Sequence, residues 1–229
     1  MIKVERIVTP SPEQWEAIIR GMRNPMNSWD KSDSYVSYVD DEAANAEAPH
    51  CFVVGQDDLL LMERLALAGS DHRKYLRMTP VFMDITAPLY WWKEFDTYKV
   101  GTVANSCSTM HKIHAKEFTL DDFSHEHLKD KCRNHLRWTI AMLNDARLGF
   151  LDCTVSKYAT AEECKEAKKE WWLQMIQLLP SSYNQKRTVM LNYEVLRNIY
   201  HARLNHKLKE WREFCERIED LPYSELITG

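Results

Sequence analysis

Two amides and one guanidinium stand near the C-terminus at spacings that suit one side of a helix. Asn192, Asn198 and Arg203 are six and five residues apart. At ~100° per residue, their side chains would point within roughly 120° to 140° of one another on successive turns. Such a row could contact a single elongated polar ligand. On helix geometry alone, exposure of all three side chains to water is the simpler interpretation.

Polar and basic residues also cluster beside predicted turns elsewhere in the chain: His72, Arg73 and Lys74, then Tyr98 and Lys99, then Asn105 to Ser108, then Lys186 and Arg187. These groups suit a phosphate-bearing small molecule, and they include no obvious acid–base pair. The chemistry would then be carried by a cofactor that the protein holds and polarises. The small, hydroxyl-rich segment 102–109 suits close approach of a ligand to the backbone, or equally an ordinary loop with ST-turns.

Several catalytic motifs are absent from the sequence. The chain has six glycines and contains no G-x-G-x-x-G, P-loop, G-x-S-x-G or H-E-x-x-H motif. His111 and His114 have a spacing that can bind a metal on a helix, whereas the side chains of the i, i+2 pair His125 and His127 would point apart. Because no H-E-x-x-H motif supports either pair, we expect no metal site. Cys107 could act as a nucleophile, but a structural role is the simpler interpretation of one small loop residue.

Composition indicates an ordinary globular protein. Hydrophobic residues make up 45% and charged residues 28% of 229 residues. The net charge of -4 offers no general attraction to nucleic acid. No apolar run could span a membrane, and the first residues lack a signal-peptide core. The six cysteines are widely spaced, which predicts neither disulfides nor structural zinc and favours a cytoplasmic location.

Local patterns predict the elements that must position these residues. Strands are expected at 2–8, 51–54 and 78–86. Capping boxes beginning at Ser11 and Thr160 predict helices over 12–23 and from 161 to 179, and Asp57 or Asp58 should cap a helix that ends before Gly69. Further helices are expected at 88–98, with a buried aromatic face, and at 121–148, 191–203 and up to about 219. Residues 24–50 should form a long loop, either functional or a surface excursion. We predict one α+β domain over 1–229.

The C-terminal part resembles the signature of the flavin-dependent thymidylate synthases, the thymidylate synthase complementing family. Leu179-Pro180 matches the start of that signature. By this resemblance, Asn192 and Asn198 correspond to positions that contact the flavin. Arg203 corresponds to the arginine that grips and polarises the pyrimidine, with family-like spacings from Pro180. His206 and Glu210 are retained one residue early.

The upstream half of the resemblance is looser but follows the family order. Ala87-Pro88 and a helix precede the segment 94–110, where the family has Gln-x-x-Arg-His-Arg-x-x-Ser-x-Asn-x-x-Ser-x-Arg. Thr97-Tyr98-Lys99 replaces Arg-His-Arg, Thr102 replaces the first Ser, and Met110 replaces the last Arg. Ile176 also stands in place of a family arginine. Each lost guanidinium removes a charge-assisted contact worth about 1.5–3 kcal/mol.

The resemblance implies a fold and a full set of site residues. The fold would be an antiparallel sheet flanked by helices. Arg203 would be catalytic and also bind substrate. The other substrate-binding residues would be Glu94, Thr97, Ser106, Cys107 and Ser108. The cofactor-binding residues would be His72, Lys74, Tyr98, Lys99, Asn105, Asn192, Glu194 and Asn198.

The resemblance also implies an activity. A divergent homotetrameric enzyme would bind FAD and a deoxyuridine-type monophosphate, and would carry out reductive one-carbon transfer to pyrimidine C5. NADPH and a folate carbon donor would take part if the family reaction is retained. No enzyme nucleophile is needed, since Arg203 polarises the base. The alternative is a catalytically inactive relative that serves as a nucleotide-binding or assembly module.

Overall fold

Helices dominate the computed structural model, which describes residues 2–41 and 46–229 and is 54% helical and 16% strand. The strands are β1 (Lys3–Val8), β2 (Tyr35–Asp41), β3 (Ala46–Val53), β4 (Pro80–Pro88), β5 (Val103–Ser106) and β6 (Asn184–Asn192). The helices are α1 (Pro12–Arg23), α2 (Gln56–Leu67), α3 (Leu89–Phe95), α4 (Asp130–Asp152), α5 (Ala161–Leu178), α6 (Tyr193–Arg203), α7 (Lys209–Glu219) and α8 (Glu225–Thr228). The predicted α+β class, with an antiparallel sheet and flanking helices, is confirmed.

Four strands form one sheet in the order β1-β4-β6-β5. Strand β6 was missed from sequence because its residues Asn184 to Thr188 are all polar, so the apolar alternation that marks a strand is present only from Val189 onward. Only Gln185 among these polar residues is buried. Helix α6 begins directly after β6, so the strand leads straight into the predicted C-terminal helix.

The prediction of a long loop over 24–50 was wrong. Strands β2 and β3 pair as an antiparallel hairpin, in which Tyr35 lies opposite Val53 at one end and Asp41 lies opposite Ala46 at the other. Residues 42–45 lie outside the described part of the chain. The register shifts between Ser37 and Tyr38, where Pro49 is the strand partner. Proline lacks the N–H that a ladder needs, so an irregularity is expected there. The hairpin packs against α1.

Both predicted capping boxes are present. The Ser11 hydroxyl accepts from the Gln14 N–H at 3.3 Å, and the Gln14 side chain accepts from the Ser11 N–H at 2.9 Å. Thr160 and Glu163 form the same reciprocal pair at the start of α5. Each box satisfies two backbone donors that the first helical turn leaves without partners, and this fixes where the helix begins.

The predicted cap of α2 was wrong. Neither Asp57 nor Asp58 caps the helix. The carboxylate of Asp33 does so from outside the helix, accepting from the backbone N–H groups of Asp57 at 2.9 Å and Asp58 at 3.0 Å. A Cβ on Gly55 would lie 2.1 Å from Asp33 Cγ, so only glycine allows this close approach. Gly69, with φ of 112°, follows the helix as predicted.

The Asp58 side chain is instead fully buried and accepts four hydrogen bonds. Arg23 Nε donates at 2.5 Å, the hydroxyls of Ser32 and Ser34 each donate at 2.6 Å, and the Ser34 N–H donates at 3.2 Å. Burial alone would raise the pKa of Asp58, but these hydrogen bonds and the Arg23 charge outweigh it and hold the pKa below its ordinary value. This cluster ties the entry of the hairpin to α1 and α2.

The boundaries of helices α3 and α4 also differ from prediction. Pro88 ends β4 and does not open a helix, and α3 stops at Phe95, short of Tyr98. Helix α4 begins at Asp130, and not near 121, because Leu120–Asp122 forms only a single 3-10 turn. Phe123 then pairs with Tyr183 as an isolated bridge, which holds the chain extended. Of the aromatic block 90–92 in α3, Trp91 and Trp92 are buried as predicted, whereas Tyr90 is half-buried. Phe95 of the same helix is also buried.

The chain divides into two compact units. Unit 1 comprises Met1–Lys3, Thr86–Phe95 and Asn105–Arg187, and its core is formed by Ile113, Phe118, Phe123, Leu136, Ile140, Leu143, Ala146 and Met175. Unit 2 comprises Val4–Ile85, Asp96–Ala104 and Thr188–Gly229. The assignment of residues 1–229 to one functional domain stays a prediction. In the described ranges, every helix is too short or too polar for a membrane span.

Candidate functional site

Arg203 is held by two aromatic side chains of unit 2. Its Nε donates to the Tyr98 hydroxyl at 2.9 Å, and its Cζ lies 4.7 Å from the centre of the Trp211 ring and 5.7 Å from that of Tyr98. The two rings meet edge to face at 6.1 Å. Trp211 is fully buried, while Arg203 and Tyr98 are half-buried. The guanidinium is therefore fixed in orientation without being removed from solvent.

Asn192 caps helix α6. Its side-chain oxygen accepts from the Val195 N–H at 3.0 Å, and only 8% of the residue is exposed. The other end of the amide faces Gly101, where an added Cβ would lie 2.8 Å from Asn192 Nδ2. Gly101 also has φ of 79°, a conformation that favours glycine. The amide oxygen of Asn192 is thus engaged by the helix that follows it.

The apolar stripe predicted for α6 is largely confirmed. Leu204 is 39% exposed. The other four members of the stripe are buried: Leu191, Val195, Leu196 and Ile199. Asn198 lies on the exposed side of the helix, whereas Asn192 is buried at its start and Arg203 stands at its last residue. The three polar residues therefore do not form the single polar face that their spacing suggested.

Glu194 pairs with Arg73, whose Nε donates to Glu194 Oε2 at 2.7 Å. His72 and Lys74, on either side of Arg73, are exposed.

Arg197, one turn along α6 from Glu194, donates to the carbonyls of Leu226 and Ile227 at 3.1 and 3.2 Å. Burial, followed by the charge of Arg73, lowers the pKa of Arg197. Arg197 therefore anchors the C-terminal helix, and Arg203 is the α6 arginine placed at an accessible site.

Thr102 carries a buried hydroxyl that has no hydrogen-bond partner among the described residues. It follows Gly101, in the segment of unit 2 that also contains Tyr98. Thr97 and Lys99 are exposed in the same segment. Buried hydroxyls in folded proteins are almost always paired. The Thr102 Oγ1 atom is therefore the polar group of unit 2 best suited to a ligand that the chain itself does not supply.

The remaining predicted site residues belong to unit 1. Glu94 is half-buried in α3, and Asn105 and Ser106 are exposed at the end of β5. Cys107 continues the backbone pairing, since its N–H donates to the Lys186 carbonyl and its carbonyl accepts from Gln185 Nε2, both at 2.9 Å. The Ser108 hydroxyl accepts from the His111 N–H at 2.8 Å. These backbone and side-chain bonds give the segment a structural role.

The thiol of Cys107 is exposed and forms no disulfide. His111 and His114 lie in turns and not on a helix, so their spacing does not place both rings on one helical face. Across residues 2–41 and 46–229, no three His, Cys, Asp or Glu side chains are grouped as a metal site would require.

Trp211 was not identified from the sequence as a site residue. It lies eight positions after Arg203 on the next helix, and a turn at residues 204–208 brings it back onto the guanidinium. A tryptophan on the apolar face of an amphipathic helix is usually a core residue. Nothing in the local pattern distinguishes that role from stacking on an arginine.

The fold is similar to that of two solved structures, both of thymidylate synthase X (ThyX) from Helicobacter pylori with FAD and dUMP. Each has 14% sequence identity and a TM-score of 0.58, and each match covers 99% of this chain and 95% or 96% of the other. At this identity the likeness establishes the fold. No protein-family model matches the sequence, and no curated protein matches it.

Proposed function

We propose that this chain is a divergent flavin-dependent thymidylate synthase-like protein that binds FAD and a deoxyuridine-type monophosphate. The observation that carries the proposal is the arrangement of Arg203. It stands where the resembled family has its pyrimidine-gripping arginine, and Tyr98 and Trp211 hold its guanidinium. The shared ThyX-like fold supports the same proposal.

Arg203 would recognise and polarise the pyrimidine. The Nε of Arg203 donates to the Tyr98 hydroxyl. The guanidinium would meet a pyrimidine carbonyl, and its charge would stabilise the electron density that collects on the carbonyl oxygen when C5 reacts. Stacking on Trp211 fixes the direction of the guanidinium in advance, so little is lost in ordering it on binding.

The residues of unit 2 also fit a flavin in part. The unpartnered Thr102 hydroxyl can donate to or accept from a flavin ring. Lys99 and Lys74 are exposed cations suited to a diphosphate, and the exposed His72 imidazole could add a hydrogen bond. Bound FAD would supply the hydride for a reductive one-carbon transfer to the pyrimidine, with NADPH and a folate as the expected reductant and carbon donor. Asn198 and its neighbours on the exposed side of α6 would contact the flavin. A homotetramer remains part of this proposal.

The alternative function is a catalytically inactive relative that keeps the fold as a nucleotide-binding or assembly module. Two observations favour it. Asn192 Oδ1 is engaged in capping α6, and Glu194 is paired with Arg73, so both predicted cofactor contacts are used within the chain. The sequence also lacks the Arg-His-Arg cations that would hold a flavin diphosphate.

Calorimetric titration with dUMP tests the site. Arg203→Ala should weaken binding about 10- to 100-fold, which corresponds to losing charge-assisted hydrogen bonds worth about 1.5–3 kcal/mol. Arg217→Ala is the matched control, because that arginine lies in the same unit, is exposed and pairs with Asp220. Unchanged dUMP affinity in a folded Arg203→Ala protein would reject the proposed site.

Flavin retention separates the two functions. The enzyme predicts yellow protein, or protein that takes up added FAD, with absorption reduced by Asn198→Ala or Thr102→Ala. Protein that binds dUMP but takes up no FAD would instead establish the inactive relative. Protein that binds neither ligand would contradict the enzyme and the nucleotide-binding module, and would leave only the assembly module.

A further inference from the structure

Basic residues from three segments of unit 1 lie near the His114 imidazole, which packs on the Phe150 ring. Arg147 of α4 donates from Nε to the His114 carbonyl at 3.0 Å. The His114 ring packs on the Phe150 ring at 4.3 Å, with an angle of 32° between the planes. Lys168 of α5 places its Nζ 5.7 Å from the centre of the Phe150 ring. Lys112 belongs to the same loop as His114, so three segments of the chain contribute cations to one place.

This cluster is not balanced by acidic side chains. Among the residues that the structure describes, Lys112, Arg147 and Lys168 form no ion pair with a carboxylate. On the same helix α5, by contrast, Lys165 pairs with Glu162 at 3.3 Å and Lys169 with Glu166 at 3.9 Å. The chain as a whole carries a net charge of -4. A local group of unpaired cations is therefore not a consequence of overall composition.

The pKa of His114 is shifted by the same group of cations. Burial lowers the pKa of His114, and the charges of Lys112, Arg147 and Lys168 lower it further. Every charged group that shifts this pKa is thus a cation. The Nδ1 atom is also buried without a hydrogen-bond partner in the described chain. Buried ring nitrogens are normally paired with protein or water, so the His114 Nδ1 lacks a hydrogen bond that a ligand oxygen could supply.

We propose that Lys112, His114, Arg147 and Lys168 form a binding site for a phosphate group, either inorganic phosphate or a phosphomonoester. Like charges held this close repel one another, and a dianion between them removes the repulsion. The planar fork of Arg147 matches phosphate oxygens, and the lysines add point charges. Phe150 provides the apolar floor on which His114 is fixed. All of these residues lie in unit 1, and the site is independent of any flavin or pyrimidine binding.

Histidine side-chain NMR of the full chain, titrated with inorganic phosphate at constant ionic strength, tests the site directly. The His114 resonances, assigned with His114→Asn, should shift and saturate. Lys168→Gln should raise the dissociation constant severalfold and Arg147→Gln about tenfold, as expected for loss of one charge-assisted contact. Lys165→Gln is the matched control on α5 and should leave the titration unchanged.

Titration with other phosphate compounds distinguishes a phosphomonoester site from a site for free phosphate. Glycerol phosphate that binds more tightly than inorganic phosphate identifies a phosphomonoester site, and the reverse order identifies free phosphate. Shifts of His114 that rise linearly without saturation would overturn the proposal, as would equal responses of Lys165→Gln and Lys168→Gln. Binding confined to an oligonucleotide would also overturn it. Because Arg147 also bonds the His114 carbonyl, Lys168→Gln decides the outcome if Arg147→Gln does not fold.

Discussion

The guanidinium carbon of Arg203 lies 4.7 Å from the centre of the Trp211 ring, while the Nε of the same group donates to Tyr98. The two contacts restrain different parts of the guanidinium: Trp211 holds its carbon over the indole ring, and Tyr98 holds its Nε–H. Together they restrict rotation of a side chain that otherwise has many rotamers. A cation–π contact of this kind contributes about 0.5–2 kcal/mol, depending on solvent exposure.

Trp211 should therefore be a positioning residue for Arg203. Trp211→Leu removes the aromatic face, and it is expected to weaken dUMP binding about threefold to tenfold, in line with the energy of one cation–π contact. Trp211→Phe keeps a face and should retain most of the affinity. Calorimetry on both variants measures the difference.

Folding must be controlled in that comparison, because Trp211 is fully buried. Far-UV circular dichroism and the urea midpoint identify variants that have lost the fold. A folded Trp211→Leu protein with wild-type affinity for dUMP would show that the stacking does not position Arg203.

Gly101 should resist substitution more strongly than Gly69. Both have positive φ, 79° and 112°, so an alanine at either position is strained by about 1–3 kcal/mol. At Gly69 an added Cβ meets nothing within 4 Å, whereas at Gly101 it meets Asn192 Nδ2 at 2.8 Å. Urea unfolding should show a larger loss of stability for Gly101→Ala. Equal losses would mean that Asn192 moves aside without cost.

The cap made by Asn192 should be separable from any ligand contact. Asn192→Ala removes the acceptor for the Val195 N–H and should lower the free energy of unfolding by about 1 kcal/mol. Asn192→Ser retains a capping oxygen and should stay near wild-type stability. If the two variants have the same urea midpoint, the cap does not stabilise α6. FAD uptake that is lost in a stable Asn192→Ser protein would assign the amide a ligand role.

The buried pair of Asp58 and Arg23 should make unit 2 sensitive to acid. Since the pKa of Asp58 is lowered in the folded state from its ordinary value of 3.8, its contribution is complete above that value and is lost as the pH falls through the folded-state pKa. Asp58→Asn should cost about 3–5 kcal/mol at neutral pH, because it leaves the Arg23 charge buried without its partner.

Urea unfolding of both proteins between pH 7 and pH 3 measures this contribution. The gap between wild type and Asp58→Asn should narrow below about pH 4, where the unfolded carboxyl takes up its proton. The exposed pair Arg217 and Asp220 provides the control, and Asp220→Asn should change stability by less than about 1 kcal/mol. A gap that stays constant with pH would contradict an ionised Asp58.

The sequence predicts well where a signal is local. The Ser11 and Thr160 capping boxes fixed two helix starts because both partners lie within four residues. The hairpin and β6 were missed for different reasons. In β6 the polar residues 184–188 hide the alternation, while β2 and β3 depend on pairing with each other. The cap of α2 comes from Asp33, more than twenty residues upstream, and no local pattern contains that information.

The candidate site shows the same division. Arg203 was proposed from its spacing from Pro180 and its family-like surroundings, and its role stays a prediction. The contact with Trp211 could not be predicted, since it is created by the turn between α6 and α7. Asn192 was predicted to contact a cofactor, and in the structure its amide oxygen accepts from the backbone of α6. The sequence alone does not show which donor an amide oxygen will bond.

The two ends of the hairpin segment lie close together within unit 2. The Gly55 N–H donates to the Ser34 hydroxyl at 3.0 Å, and Asp33 caps the helix that begins next. The chain between Ser34 and Gly55 is therefore a closed excursion whose ends are already joined by the rest of the fold. A change of length within this segment would therefore leave in place the contacts that Asp33 makes with α2 and that Asp58 makes with Arg23 of α1.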